Sequence, residues 1–261
     1  MSGSEMNSGQ ELTGGNMSPV WRIGETVRRE AGPWTPNVHR LLTLLRSKGV
    51  TGVPKPLGMD EEGREVLTYL PGEVGSSPLV GAHRRDEVLV QAGRLQRAIH
   101  DATVDIASQW LSGWRALVRE PVETICHGDF APYNCVFIDG DLVGVFDFDF
   151  AHPGPRTWDL AYTLYRFVPL ADSEQTEGFG TPADQARRMR LMSDAYGLID
   201  RSGLYEAVIA RIHSMVEFLL EGQRVGDVRR IANIEAGHLA VYRHDLAYVE
   251  RHRDVFEAAL V

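Results

Sequence analysis

Two stretches near the middle of the chain constrain the fold more than any other part of it: His127-Gly128-Asp129-Phe130-Ala131-Pro132-Tyr133-Asn134 and Val145-Phe146-Asp147-Phe148-Asp149. Between them, two runs of strand-forming residues, Cys135 to Ile138 and Leu142 to Phe146, flank Asp139-Gly140, a dipeptide that favours a tight hairpin turn. The fold must therefore set a loop carrying one carboxylate against a hairpin that delivers another. Phosphoryl transfer asks for such a pair. It needs an acceptor for a hydroxyl proton and oxygen ligands that hold Mg²⁺ across the phosphates. On this reading Asp129 is the base, and Asn134 and Asp147 are the metal ligands.

The rest of the chain divides around these motifs. Val20 to Ile23 and Thr26 to Arg29 read as strands joined at Gly24-Glu25, and Glu65 to Leu70 as a third, closed by Pro71-Gly72. Pro36 to Leu45 reads as a helix with Thr35 as its N-cap and Gly49 as its stop. From Arg84 to His100 the apolar residues Val88, Ala92, Leu95 and Ile99 fall at helical spacing. Beyond the hairpin, Asp159 to Phe167, Asp184 to Tyr196, Leu204 to Glu221 and a stretch from Asp227 towards Val261 all read as helix. The expected architecture is α+β. A disordered segment over 1–10 precedes a small β-rich lobe over 11–70, which a short link joins to a larger helical lobe over 71–261. Two joined lobes invite a ligand cleft between them.

HGDFAPYN followed by VFDFDFAHPGPRTWDLA resembles the aminoglycoside phosphotransferase and choline kinase family. The match is strongest over 125–162 and looser from Leu12 to the C-terminal helices. The resemblance implies a two-lobed, protein-kinase-like fold and transfer of a γ-phosphoryl group from ATP or GTP to a small-molecule hydroxyl. It implies that His127 braces the loop backbone instead of acting as a base. Asp149 would touch a second metal ion or order its loop. Asp159 would hydrogen-bond the catalytic loop or serve as a plain N-cap. The interval from Asp147 to Asp159 has no room for a protein kinase's activation segment, which favours a small acceptor.

The nucleotide side departs from the kinase pattern. Gly14, Gly15 and Asn16 stand where backbone N–H groups could cover phosphates, or form an ordinary turn. The sequence has no G-x-x-x-x-G-K-[ST], so it is not a P-loop protein. The lysine expected on the third strand is replaced by Arg28-Arg29, and near Val38 or His39 there is no carboxylate to pair with it. Strand alternation puts Arg29 on the same face as Val27, making Arg29 the expected phosphate ligand. Thr68, Tyr69 and Leu70 are the expected adenine hinge. For the acceptor, Glu217 and Glu221 share a helix face, and Asp245 lies on what reads as the last helix; these acids would meet an amine or simply face solvent.

A formal net charge of −9 argues against a sequence-independent nucleic-acid binder. It is compatible with a cationic ligand and with plain solubility. No apolar run approaches the roughly 18 residues of a membrane span, and MSGSEMNSGQ lacks the pattern of a signal peptide. A cytoplasmic protein, monomer or homodimer, is expected. Cys126 and Cys135 read as buried free thiols, since with His127 they lack zinc-site spacing. The competing reading is a nucleotide-binding pseudokinase acting as a regulatory or scaffold module. The missing Lys–Glu pair favours it; Asp129, Asn134 and Asp147 together disfavour it.

Overall fold

The computed structural model describes residues 9–12, 19–77, 79–172 and 179–260. Ten strands and eight helices are formed among them. The first lobe is an antiparallel sheet of five strands: β1 (Gln10–Leu12), β2 (Val20–Ile23), β3 (Thr26–Arg29), β4 (Pro56–Met59) and β5 (Glu65–Thr68), in the order β1-β2-β3-β5-β4. Gln10 already belongs to β1, so the sheet reaches into the segment expected to be disordered; residues 1–8 lie outside the described ones. Gly24, at φ 59°, makes the tight turn between β2 and β3. In β3 and β5, Val27 stands opposite Leu67 and Arg29 opposite Glu65. Helix α1 (Thr35–Ser47) buries Val38, Leu41, Leu42 and Leu45 against the core. Its N-cap is Trp34, not Thr35, whose hydroxyl accepts from the Gly32 N–H instead.

After β5 the chain leaves the sheet and enters the helical lobe. β6 (Glu73–Val74) adds an edge to the hairpin of β8 (Cys135–Ile138) and β9 (Asp141–Val145), and β7 (Thr124–Cys126) pairs with β10 (His152–Gly154). Asp139 and Gly140 both adopt positive φ, 52° and 83°, as a two-residue hairpin turn demands. These two small sheets pin both ends of the loop that runs from His127 to Asn134.

Helices α2 (Asp86–Asp101), α3 (Arg156–Phe167), α4 (Pro182–Tyr196), α5 (Leu204–Arg224), α6 (Val228–Glu235), α7 (His238–Arg251) and α8 (Arg253–Leu260) make up the rest. The stretch expected as one helix from Asp227 is broken twice. Gly237 takes φ 91°, and His252 leaves helical geometry between α7 and α8. Asp245 therefore lies on the penultimate helix. The core runs continuously through both lobes, from Leu41 and Leu45 to Phe130, Phe148, Leu160 and Phe167. Cys126 and Cys135 are free and buried. Among the described residues no helix is long and apolar enough to cross a membrane.

Candidate active site

The loop after β7 is built on one carboxylate. Asp159, in the first turn of α3, is 1% exposed. It accepts from the backbone N–H groups of His127 (3.0 Å) and Gly128 (2.8 Å). Two side chains of α2, Gln96 and His100, donate to it at 3.0 Å each. Burial alone would raise this carboxyl. The hydrogen bond and charge of His100, with His127 and Gln96, outweigh that and hold it well below the ordinary carboxylate range. Gly128 sits at φ 82°, and a Cβ there would lie 2.2 Å from the Phe150 carbonyl oxygen, so only glycine fits.

His127 is fully buried, and burial lowers its pKa. Its Nδ1 accepts from the Asp129 N–H, and its Nε2 faces the Phe146 carbonyl at 3.1 Å. A neutral ring protonated on Nε2 satisfies both contacts. His127 thus ties the loop to the hairpin strand β9.

Asp129 accepts from the Tyr133 hydroxyl (2.7 Å) and from Asn134 Nδ2 (2.9 Å). Asn134 Nδ2 also donates to the Asp129 carbonyl (2.9 Å), so both of its bonds to Asp129 run through the amide nitrogen and not the amide oxygen. The Tyr133 hydroxyl is 2.8 Å from that of Tyr162. Burial raises the Asp129 carboxyl; the Tyr133 bond opposes the rise and the nearby Asp147 charge adds to it. Asp147 follows β9 with φ 63° and ψ 67°, left-handed geometry that is rare outside glycine and that turns the chain sharply before Asp149.

From β3, Arg29 reaches these two aspartates. Its guanidinium bonds Glu65 (2.5 Å), Asp147 (3.0 Å) and Asp149 (2.5 Å). Burial would lower its pKa, but Asp147, Asp149 and Glu65 outweigh that and raise it. Arg28 points to the other face of β3, towards Thr26 and Asp60. Glu65 is itself fully buried and also meets His39 Nε2 at 3.0 Å. The carboxylate missing from α1 is thus supplied by the facing strand, and His39 stands on α1 where that acid was sought. Arg115, wedged between the rings of Trp34 and Phe150, approaches the second oxygen of Asp149 at 3.6 Å.

The other expected site residues are more scattered. Gly14, Gly15 and Asn16 lie outside the described residues. At the link, Thr68 N–H donates to the Lys55 carbonyl and Tyr69 N–H to that of Glu25. Of the three hinge residues only Leu70 has an N–H with no backbone acceptor among the described residues. Glu217 and Glu221 are exposed on α5, each beside a partner from its own helix: the His213 ring at 3.4 Å and the Arg224 guanidinium at 2.6 Å. The same helix reaches the loop through Arg211, which donates to the Gly128 carbonyl at 2.7 Å. Asp245, by contrast, is 4% exposed.

Sequence reasoning passed over Glu65, His39, Tyr133, Tyr162, Gln96 and His100. For Glu65 a signal existed, since pairing Thr26 to Arg29 antiparallel with the next strand sets Arg29 opposite it. The others meet the site only through long-range packing.

The chain belongs to the phosphotransferase enzyme family, whose sequence model matches residues 10–120 and 104–191. It is 31% identical over 267 residues to the trifolitoxin immunity protein of Rhizobium leguminosarum bv. trifolii, covering 98% of this chain and 100% of that one. Its fold is that of the aminoglycoside phosphotransferases. ADP-bound APH(2'')-Ib superposes with a TM-score of 0.62 at 15% identity, over 97% of this chain and 95% of that one. The amicoumacin kinase hAmiN, in complex with AMP-PNP, Ca²⁺ and amicoumacin, gives 0.62 at 14% identity, over 93% and 88%.

Proposed function

We propose that this protein transfers the γ-phosphoryl group of ATP or GTP, with Mg²⁺, to a hydroxyl of a small, amine-bearing acceptor. The observation that carries the reading is that Asn134 bonds Asp129 while Arg29 bridges Asp147 and Asp149, with the Asp147 charge near enough to raise the Asp129 carboxyl. Asp129 takes the hydroxyl proton as the acceptor oxygen bonds to the γ-phosphorus. The bond from that phosphorus to the β–γ bridging oxygen breaks, and the nucleoside diphosphate leaves. Asn134 and Tyr133 hold the carboxylate in place, and the Asp159 network holds the loop.

The donor set fits a hard divalent cation. Asn134, Asp147 and Asp149 offer oxygens only, and a guanidinium already spans the two aspartates as a stand-in charge. Among the described residues no group of three or more His, Cys, Asp or Glu could hold an ion unaided. Mg²⁺ takes few protein ligands and completes its shell with phosphate and water. When bound, the ion neutralises charge on the phosphates. Arg29, held by Glu65, is the cation poised to meet them from the strand side, and Leu70 N–H is the donor for the base.

The Arg29–Glu65 pair supports catalysis over the pseudokinase scaffold, because it supplies the strand cation and the carboxylate that the sequence lacked in their usual places. The relative named as an immunity protein brings toxic compounds into the acceptor class. Incubation with Mg–ATP or Mg–GTP and a panel of amino sugars, amino alcohols, amino acids and antibiotics is the test. Acceptor-dependent release of nucleoside diphosphate is expected, with kcat/KM falling as salt rises if the acceptor is cationic. Nucleotide binding without turnover of any acceptor would hand the protein to the scaffold reading.

A further inference from the structure

A cavity of about 300 Å³ opens in the helical lobe between α3 and α7, lined among others by Tyr165, Arg166, Tyr242 and Asp245. It adjoins the catalytic loop. The Arg166 guanidinium lies 5.4 Å from the centre of the Tyr133 ring, and the Tyr133 hydroxyl bonds Asp129 at 2.7 Å.

Two charges line this cavity, and each keeps one polar atom without a partner among the described residues. Asp245 is 4% exposed. Its Oδ2 accepts from the Tyr165 hydroxyl at 2.6 Å, while its Oδ1 accepts nothing. The nearest cation candidate, His244 Nδ1, is 3.8 Å from that oxygen, beyond hydrogen-bond reach. Arg166 donates one bond, from Nη2 to the Ser77 hydroxyl at 2.7 Å, and its Nε has no partner. Among the described residues no carboxylate forms an ion pair with it; the faces of Tyr133 and Tyr165 are its surroundings. A buried carboxylate and a guanidinium that miss each other cost stability unless something completes both.

We infer that this cavity seats the acceptor by a zwitterionic head, with a carboxylate on Arg166 and an ammonium on Asp245, so that the acceptor is a hydroxylated amino acid or a small molecule carrying that head. The inference rests on the phosphotransferase reading for its hydroxyl, which Asp129 would meet, but on the cavity alone for its charges. The opposed pair also argues against a polycation, since Arg166 repels a second ammonium. It argues against a dianion, which Asp245 repels. A head with one charge of each sign leaves neither uncompensated.

L-serine is the smallest probe with this head and a hydroxyl. Ethanolamine lacks only its carboxylate and 3-hydroxypropionate only its ammonium; kanamycin serves as the polycation. Two readouts on the full chain with Mg–nucleotide present are kcat/KM for phosphorylation and Kd by calorimetry. L-serine should exceed each truncated compound by about 10- to 100-fold, the worth of a hydrogen-bonded charge. Arg166→Gln should erase the preference over ethanolamine and keep that over 3-hydroxypropionate. Asp245→Asn should do the reverse, and Arg166→Lys should restore part of the first. A merely structural role does not produce this crossed pattern, and the wild-type ranking stands even if a variant fails to fold. Ethanolamine or kanamycin matching L-serine in both readouts overturns the inference. No transfer to any compound, with the Kd ranking intact, removes the phosphotransferase reading and leaves the cavity assignment. Transfer with no such ranking removes the cavity assignment alone.

Discussion

Asp159 and Asp245 are buried to nearly the same degree, 1% and 4% exposed, yet one accepts four hydrogen bonds and the other a single one. Their acidities diverge accordingly. Donors around Asp159 overcome its burial and pull the carboxyl down. At Asp245 burial wins over Tyr165, Arg166 and His244, and the carboxyl rises. The first is charge committed to architecture, because each of its oxygens fixes a piece of the catalytic loop or of α2. The second is charge left uncommitted, on the wall of a cavity. A buried ion can thus be classed by what is left over after its bonds are counted.

The largest effect should come from the residue that the Asp159 network presents. Asp129→Asn keeps the shape and the Tyr133 bond but removes the proton acceptor. Turnover is expected to fall by about 10²–10⁴, while nucleotide affinity measured by calorimetry stays within about threefold, under 1 kcal/mol. More than about a tenth of wild-type turnover would take Asp129 out of the base role.

Asp159→Asn should follow. It strips a charge from four donors and turns one acceptor oxygen into a donor facing them, at a cost of about 3 kcal/mol in urea unfolding at neutral pH. A folded-state carboxyl held below its unfolded value contributes stability above the unfolded pKa and loses it as pH falls through the folded one. The deficit of the variant should therefore narrow below about pH 4. A pH-independent deficit would mean that shape, and not charge, anchors the loop.

Arg29 is an intermediate case, fully bonded but to groups expected to release it. Arg29→Ala should raise KM for nucleotide by about 10- to 100-fold, the worth of a charged hydrogen bond, and lower kcat. Arg28→Ala, on the opposite face of β3, should change either constant by less than about threefold. The reverse ranking in steady-state kinetics would move the phosphate contact to the Arg28 face.

These cases also show where the sequence was readable. Asp129, Asn134 and Asp147 stand within one loop and one hairpin, so spacing and turn chemistry suffice to bring them together. The order of sheet and helices was legible for the same reason, except in pieces of two or three residues such as β1, β6 and β10, too short to show a period. Glu65 is 36 residues from Arg29, and Gln96 is 63 from Asp159. Such pairings exist only after the core has closed. Asp245 groups with Glu217 and Glu221 in sequence because acids on helices look alike there. Burial, which separates them, is a property of packing.

Asp245→Asn should have the smallest effect on stability, and with the opposite sign to Asp159→Asn. A carboxyl whose folded pKa is raised adds stability that is present below its unfolded pKa and lost as pH rises through the folded value. At neutral pH the wild type therefore carries a buried charge with one donor. Of the groups that face it, Arg166 from α3 makes no ion pair with it among the described residues, and His244 from its own helix stays 3.8 Å from its free oxygen. Asparagine accepts from Tyr165 equally well and places no charge there. The variant is expected to be as stable as the wild type or up to about 1 kcal/mol more stable at pH 7. That margin should close as pH falls below about 4, where the wild-type carboxyl is neutral as well. Urea unfolding at the two pH values, without acceptor, measures it. A loss of 2 kcal/mol or more at pH 7 would place Asp245 with Asp159 as an architectural charge, and the cavity would lose the anion from which its ligand chemistry is read.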